Sequence, residues 1–277
     1  MLPAPPQQPS CLLPCRSPRP AIPLFDGFGK TRYNMDRSKD EKGGRDMEHM
    51  PQWPEEMTQL IHGFVDLRCR YQAALTEVKT KLDILNEEFR VRYSRNPIHH
   101  MESRIKSPES IARKLMAKGF APTPENAVAQ LHDLAGVRVV CAYRDDVYTI
   151  AKLLTSQDDI RLLRTRDYIR EPKPNGYRSL HLIVEIPVFL STGKQYLPVE
   201  VQIRTIAMDF WASLEHRIRY KVEFQVPEDL NRELFDAAQR IAQVDEDMQR
   251  IHDRMVVLAE QSGVDTVNDP PQPEWDE

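Results

Sequence analysis

The sequence contains few cysteines and no long apolar segment. Its four cysteines are scattered at positions 11, 15, 69 and 141, in a pattern that matches neither a disulfide framework nor a zinc site. No apolar stretch approaches the ~20 residues that a membrane-spanning helix requires. Prolines also interrupt the N-terminal region where a secretion signal would need an apolar segment. We therefore expect a cytoplasmic protein that does not associate with a membrane.

The chain also lacks an excess of basic charge. It carries 38 lysine and arginine residues against 42 aspartate and glutamate residues, which gives a formal net charge of −4. A chain with this charge has no global field that would attract nucleic acid or an anionic membrane surface. We therefore expect no DNA partner, and the composition does not support RNA binding. Any anion site has to be formed by a local group of basic residues.

Three segments differ in composition along the 277 residues. Eight prolines between positions 3 and 23, followed by a charged run, predict a disordered extension over residues 1–50. An alternative hypothesis is that translation starts at Met35 or Met47, so that the proline-rich residues before it are not translated in the cell; the intact mass of the native protein tests it. Residues 51–262 carry the apolar patterns of one folded domain, and acidic, proline-containing residues 263–277 predict a disordered tail.

Within the domain, apolar periodicity predicts a succession of helices and strands. Ser107 and Thr123 each precede a proline and a glutamate, as N-cap residues often do, and Gly136 is expected to end the helix that starts after Thr123. The order of elements indicates a layered α/β or α+β fold rather than a helix bundle. Helices are predicted at about residues 54–95, from 108, and at 124–133, 145–155, 206–220 and 227–262, and strands at about 137–143, 160–169, 179–187 and 196–205.

The last predicted helix carries an apolar heptad, a pattern typical of helices that pack lengthwise against another helix. Such a seam needs a partner, which is either the first long helix or another subunit. Its members are Leu230, Leu234, Ala237, Ile241, Val244, Met248, Ile251, Met255 and Leu258.

The segment from Lys173 to His181 combines a turn with an aromatic and several cationic side chains. Pro174, Asn175 and Gly176 are typical of a turn, in which Gly176 can adopt a positive φ. Taken alone, the segment is best explained as a polar hairpin turn that contains a half-buried tyrosine.

Arg104 and Lys106 lie just before the helix that begins at Pro108, and Ser110 and Lys114 share one face of that helix. Cations beside the unsatisfied N–H groups of a first helical turn can bind a polyphosphate. A surface helix with solvated basic side chains is the alternative interpretation.

The strand predicted at residues 196–205 alternates apolar and polar side chains. Its polar side either faces solvent or forms a polar cleft together with His181 on the preceding strand. Val199, Val201 and Ile203 point to one side, and Glu200, Gln202 and Arg204 point to the other.

Together, these patterns resemble the synthetase domain of RelA/SpoT-type alarmone synthetases, over about residues 55–260. The motifs that carry the resemblance, in the family's order and spacing, are Arg104-x-Lys106, Asp133-Leu-Ala-Gly-Val-Arg138, Lys173-Pro-Asn-Gly-Tyr-Arg-Ser-Leu-His181 and Val199-Glu-Val-Gln-Ile-Arg-Thr205. The chain is most similar to the small, single-domain members. The resemblance implies an α+β fold, with a mixed β-sheet flanked by helices and related to nucleotidyltransferases. It also implies transfer of the β,γ-pyrophosphate of ATP to the 3′-hydroxyl of GTP or GDP, with release of AMP.

The resemblance further implies roles for individual residues. Asp133 and Glu200 would hold Mg²⁺, Glu200 would also take the proton of the 3′-hydroxyl, and the chain would form a homotetramer. Arg104 and Arg138 would stack on adenine; Lys106, Ser110 and Lys114 would bind the ATP phosphates; and Lys173, Tyr177, His181 and Gln202 would bind the GTP or GDP acceptor.

Two departures from the family pattern affect regulation and hydrolysis. Members that are stimulated by their product have an aromatic and small residues just before the first motif, where this chain has His100, Glu102 and Ser103. Glu102 would repel a phosphate, so we expect weak or no product activation. His132-Asp133 and His252-Asp253 are isolated dipeptides rather than parts of a hydrolase domain, so we expect no alarmone hydrolysis.

Two other functions remain compatible with the motifs. One is nucleotidyl transfer on the same fold, which would release pyrophosphate instead of AMP. The other is a non-catalytic sensor of nucleotides or RNA. The sequence also leaves open whether GTP, GDP or GMP is the preferred acceptor.

Overall fold

The computed structural model describes residues 54–220 and 227–262 of the chain. The predicted disordered extension and tail lie outside these described residues. In chain order the elements are α1 (Glu55–Tyr93), β1 (Ile98–Ile105), α2 (Pro108–Ala117), α3 (Pro124–Gln130), β2 (Ala135–Cys141), α4 (Arg144–Thr155), β3 (Arg161–Asp167), β4 (Leu180–Leu190), β5 (Gly193–Thr205), α5 (Ile206–Tyr220) and α6 (Glu228–Gln261).

The five strands form one mixed sheet in the order β1-β2-β5-β4-β3. Strands β2 and β5 are parallel, and the other neighbouring pairs are antiparallel. The predicted α+β class with a mixed sheet is therefore confirmed. The register places Glu200 of the central strand β5 between Gly136 of β2 and Ile183 of β4.

One face of the sheet packs into the hydrophobic core. Val201 and Ile203 of β5 are fully buried, in one cluster with Tyr71 and Val78 of α1. Burying each large apolar side chain contributes about 2 kcal/mol, so this layer fixes which way β5 faces. Glu200 is partly exposed on the opposite face, which agrees with the interpretation that a polar cleft crosses the sheet.

Strand β1 has no counterpart among the predicted strands. Most of its side chains are exposed and polar, and only Ile98 is buried, so the segment lacks the alternation that predicts a strand. It is held by its antiparallel pairing with β2 and by Ile98 N–H, which donates to Asn86 Oδ1 at 3.1 Å. As a consequence Arg104 lies on a strand rather than in a loop.

The prediction that α3 extends to residue 133 and is ended by Gly136 is wrong. The helix ends at Gln130, and Leu131 is extended, with φ −124° and ψ 121°. The physical reason is the burial of Leu131 and Leu134 (each 1% exposed) and a bond from Lys106 N–H to the Leu134 carbonyl at 2.8 Å. Asp133 therefore lies in the connection that leads into β2.

Helix α6 packs mainly on α5 and α4, through a face that shares Ile241 with the predicted heptad: this side chain packs against Trp211, Ala212 and Ala238. Its buried side chains include Ala238 and Asp245, whereas Val244 and Met255 of the heptad are 57% and 61% exposed. The first long helix is therefore not the partner of this seam. Packing of the heptad against another subunit remains a prediction.

None of the helices in residues 54–220 and 227–262 is both long and apolar enough to cross a bilayer.

Candidate active site

Two cavities meet at Glu200 on the polar side of the sheet. The larger, of about 320 Å³, is lined by Lys114, Asp133, Lys173, His181 and Glu200 among others. The smaller, of about 80 Å³, is lined by residues that include Arg104, Arg138, Glu200 and Gln202. Residues from all four sequence motifs are thus brought to one region, with Glu200 on the boundary between its halves.

Asp133 is held by two lysines. Lys106 Nζ and Lys114 Nζ donate to the same oxygen, Asp133 Oδ2, at 2.6 and 2.5 Å. Burial opposes ionisation of this carboxyl group, but the hydrogen bonds and charges of the two lysines outweigh it and hold its pKa below the usual range. The other oxygen, Oδ1, is buried and has no hydrogen-bond partner among the described residues.

Glu200 is fixed by its neighbours on β4 and β5. His181 Nδ1 lies 3.2 Å from Glu200 Oε1, and Gln202 Nε2 donates to Oε2 at 3.0 Å. Burial raises the pKa of Glu200. The hydrogen bond and charge of His181 and the hydrogen bond from Gln202 lower it by more, so the net shift of the pKa is downward. Glu200 is therefore a carboxylate at neutral pH.

Tyr177 is connected to Glu200 through His181. The Tyr177 hydroxyl lies 2.8 Å from His181 Nε2, and His181 contacts Glu200 through its other ring nitrogen. Burial raises the pKa of Tyr177, which keeps the phenol neutral. Lys173 Nζ lies 4.7 Å from the centre of the Tyr177 ring, within range of a cation–π interaction. The aromatic and the cation predicted for the acceptor are thus adjacent.

Arg104 and Arg138 line the small cavity from two adjacent strands. Arg104 lies opposite Gly136 in the β1–β2 ladder, and Glu102 lies opposite Arg138. Arg138 forms ion pairs with Glu102 at 3.2 Å and with Asp209 at 3.6 Å. Two planar guanidinium groups at the rim of one small cavity suit a flat aromatic ligand.

The family model that matches the chain is described as a region found in RelA / SpoT proteins, and it covers residues 103–225. GTP pyrophosphokinase YwaC of Bacillus subtilis (strain 168) is 48% identical over 178 residues, which are 64% of this chain and 85% of that protein. The chain belongs to the RelA/SpoT family. The matched region contains every site residue predicted from the motifs.

Two solved structures place this RelA/SpoT protein among the small alarmone synthetases. Small alarmone synthetase 2 from Bacillus subtilis superimposes with a TM-score of 0.61 at 46% identity, covering 66% of this chain and 96% of that one. Small alarmone synthetase 1 from Bacillus subtilis, bound to its product pppGpp, gives a TM-score of 0.61 at 34% identity, covering 66% and 93%.

Four predicted residues of this RelA/SpoT protein differ from their expected places. Lys106 and Tyr177 are not among the described residues that line either cavity, although Lys106 contacts Asp133 and Tyr177 contacts His181, which do. Ser110 is not among the described residues that line either cavity, and its hydroxyl oxygen accepts a hydrogen bond from Ser107 Oγ at 3.1 Å. Gln202, predicted for the acceptor, lines the small cavity beside the two arginines.

Arg204 is the main residue that the motif assignment leaves without a role. It is 2% exposed, and its Nη2 donates to Tyr177 Oη and to Gln202 Oε1, both at 3.0 Å. It also pairs with Asp209 at 3.4 Å. The sequence could have indicated a role for Arg204, because it alternates with apolar residues in the same pattern as Glu200. That pattern predicts that both side chains point to the polar face of the sheet.

The large cavity also contains basic residues from the edge strand β3. Arg164 and Arg166 line it together with Lys118 and Tyr168. The two arginines are two positions apart on a strand, so they point to the same side. That spacing could have predicted a shared face, but β3 is exposed almost throughout, and its pattern alone did not indicate that this face borders a cavity.

Proposed function

We infer that this protein is a GTP pyrophosphokinase, which transfers the β,γ-pyrophosphate of ATP to the 3′-hydroxyl of GTP or GDP. AMP is released, and the product is pppGpp or ppGpp. The position of Glu200 on the boundary of the two cavities carries this conclusion. The arginines predicted for adenine line the small cavity, and Lys114, Lys173 and His181, predicted for the phosphates and the acceptor, line the large one.

In this reaction the acceptor O3′ forms a bond to the β-phosphorus of ATP, and the bond from that phosphorus to the oxygen bridging the α-phosphate breaks. We assign Glu200 to accept the 3′ proton. His181, 3.2 Å from Glu200 Oε1, orients the carboxylate. Lys106 and Lys114 would leave Asp133 to neutralise the phosphates, because a phosphate bearing two or more charges is a stronger partner than one carboxylate.

The carboxylates of Asp133 and Glu200 fit Mg²⁺, which prefers oxygen ligands and usually keeps substrate phosphates in its shell. Asp133 Oδ1 is buried without a partner among the described residues, and the charge of Asp133 acts on the pKa of Glu200. In the described parts of the chain, no three metal-ligating side chains gather. We therefore propose that Mg²⁺ is held jointly by these two carboxylates and by ATP, where it would neutralise the developing phosphate charge.

The test is incubation of the wild-type protein with ATP, Mg²⁺ and GTP, GDP or GMP, followed by separation of the nucleotides. We expect AMP and a 3′-pyrophosphorylated guanosine nucleotide in equal amounts. Release of pyrophosphate would instead indicate nucleotidyl transfer, and binding without turnover would indicate a sensor. The relative rates with the three acceptors identify the preferred one.

We propose that the protein works in the cytoplasm as a homotetramer. The exposed apolar residues of the α6 heptad, such as Val244, Met248 and Met255, support burial of this face between subunits. The mass in solution, measured by light scattering, tests the assembly, and a monomeric mass would contradict it.

Added pppGpp is expected to stimulate synthesis less than about twofold. Glu102, two residues before Arg104 on the same strand β1, is 64% exposed at its side chain and pairs with Arg138. A carboxylate at this place repels a second anionic nucleotide. Initial rates measured with and without pppGpp decide the point, and stimulation of tenfold would contradict it.

A further inference from the structure

The loop that carries Tyr177 is packed tightly against α6. Gly176 in this loop has φ +86°, and a Cβ added there would lie 2.5 Å from Ala238 Cβ, closer than side chains approach one another. The space left between the loop and α6 amounts to about 10 Å³, which leaves no room for more than about one water molecule. The backbone of the loop is therefore in van der Waals contact with the helix.

Polar contacts fix the same junction. Arg178 Nη1 donates to the Gly176 carbonyl at 3.4 Å, and Arg178 Nη2 donates to Gln239 Oε1 at 3.2 Å. On the other side of the turn, Asn175 Nδ2 donates to Glu215 Oε1 of α5 at 3.2 Å. The residues on both sides of Gly176 are thus tied to the two C-terminal helices.

A second junction connects α6 to the end of strand β5. Thr205 Oγ1 donates to Asp245 Oδ2 at 2.9 Å, and both side chains are buried (0% and 7% exposed). Thr205 Oγ1 in turn accepts from Met208 N–H at 3.2 Å. Helix α6 is therefore bonded to the strand that carries Glu200 as well as to the loop that carries Tyr177.

The described residues that line the two nucleotide cavities come from elements other than α6. We propose that α6 nevertheless controls the acceptor half of the site, with Ala238 and Gln239 as positioning residues that hold the Lys173–His181 loop where Tyr177 can bind the acceptor guanosine nucleotide. This inference rests on the proposed function, because it takes the loop to be the acceptor site. The residues predicted to bind ATP lie on β1, β2 and α2 and directly after β1, so Ala238 and Gln239 should affect binding of the acceptor and not of ATP.

The first test is Gln239→Leu. We expect the KM for GTP or GDP to rise about tenfold, the size of one lost hydrogen bond to a charged group, while the KM for ATP stays within about twofold. Gln239→Glu keeps an oxygen acceptor for Arg178 and should restore the wild-type KM. Gln243→Leu is the matched control, because Gln243 lies one turn further along α6 and its amide donates to Asp247 of the same helix.

A second variant tests the packing contact. Ala238→Val places two methyl groups against Gly176, so binding of GDP measured by calorimetry without ATP should weaken about tenfold or more. Equal KM values for wild type and Gln239→Leu, or parallel changes for ATP and acceptor, would overturn the positioning role. A wild-type protein that forms no 3′-pyrophosphorylated product would refute the proposed function itself, which separates the two failures.

Discussion

Replacing Glu200 by glutamine is expected to lower kcat for pyrophosphate transfer about 10³-fold, or about 4 kcal/mol of transition-state stabilisation. The amide has nearly the same shape, but it cannot accept the 3′ proton and is a poor ligand for Mg²⁺. Formation of AMP and of the 3′-pyrophosphorylated nucleotide under saturating substrates measures the loss. The KM values should change far less than kcat, because the purine contacts are made by other residues.

The matched control is Glu185→Gln on the adjacent strand β4. Glu185 forms an ion pair with Arg161 and is not among the described residues that line the two cavities, so its replacement should leave kcat within about twofold. Circular dichroism of both variants verifies that the fold is retained. A Glu200→Gln enzyme that keeps more than about one tenth of the wild-type rate would exclude Glu200 as the base.

Local rules account for most of the helices and for the turn. The predicted N-caps Ser107 and Thr123 accept hydrogen bonds from Ser110 N–H and Asn126 N–H, both at 3.3 Å. The positive φ predicted for Gly176 is confirmed at 86°. These features depend on residues within one turn of each other, which is the range over which a single sequence carries information.

Features that depend on distant partners could not be predicted in the same way. Strand β1 is polar and forms because β2 offers its edge. In α6 the more apolar face is exposed, while the face with Ala238 and Asp245 is buried, since Gly176 admits only a small side chain and Thr205 offers a hydroxyl. Periodicity shows where apolar residues recur along a helix. Packing at the junction of α6 with Gly176 and Thr205 depends instead on the size of a side chain and on its hydrogen bonds.

In the candidate site, too, the sequence predicts local features but not contacts between distant residues. The motifs give the residue types and their order, and the structure brings Asp133 and Glu200 into one region from different elements. The bonds that Arg204 makes to Tyr177 and Gln202 are contacts between side chains from β5 and the loop. Sequence spacing predicted which way Arg204 points, but only the sheet register shows what it meets.

Replacing Asp133 by asparagine is expected to lower kcat about 10²- to 10³-fold and to weaken metal binding at the same time. Asparagine removes the negative charge that both Lys106 and Lys114 now contact through Asp133 Oδ2. Mn²⁺ can substitute for Mg²⁺ as a probe, and its affinity for the nucleotide-free protein is measured by calorimetry or electron paramagnetic resonance. This readout is independent of turnover.

Lys114→Met should have the opposite effect on the metal. In the nucleotide-free protein a cation approaching Asp133 is repelled by two ammonium groups, and removing one should raise Mn²⁺ affinity about tenfold, even though ATP binds more weakly. Lys118→Met is the control, because Lys118 Nζ donates to the Gln130 carbonyl at 3.0 Å instead of to Asp133. If Lys114→Met and Asp133→Asn both weaken Mn²⁺ binding, the lysines do not compete with the metal. If neither variant changes it, Asp133 is not a ligand. A higher Mn²⁺ affinity in Lys114→Met together with a lower one in Asp133→Asn would mean that the lysines compete with the metal for Asp133. ATP would then favour metal binding, because its phosphates draw the lysines away from Asp133 as the site fills.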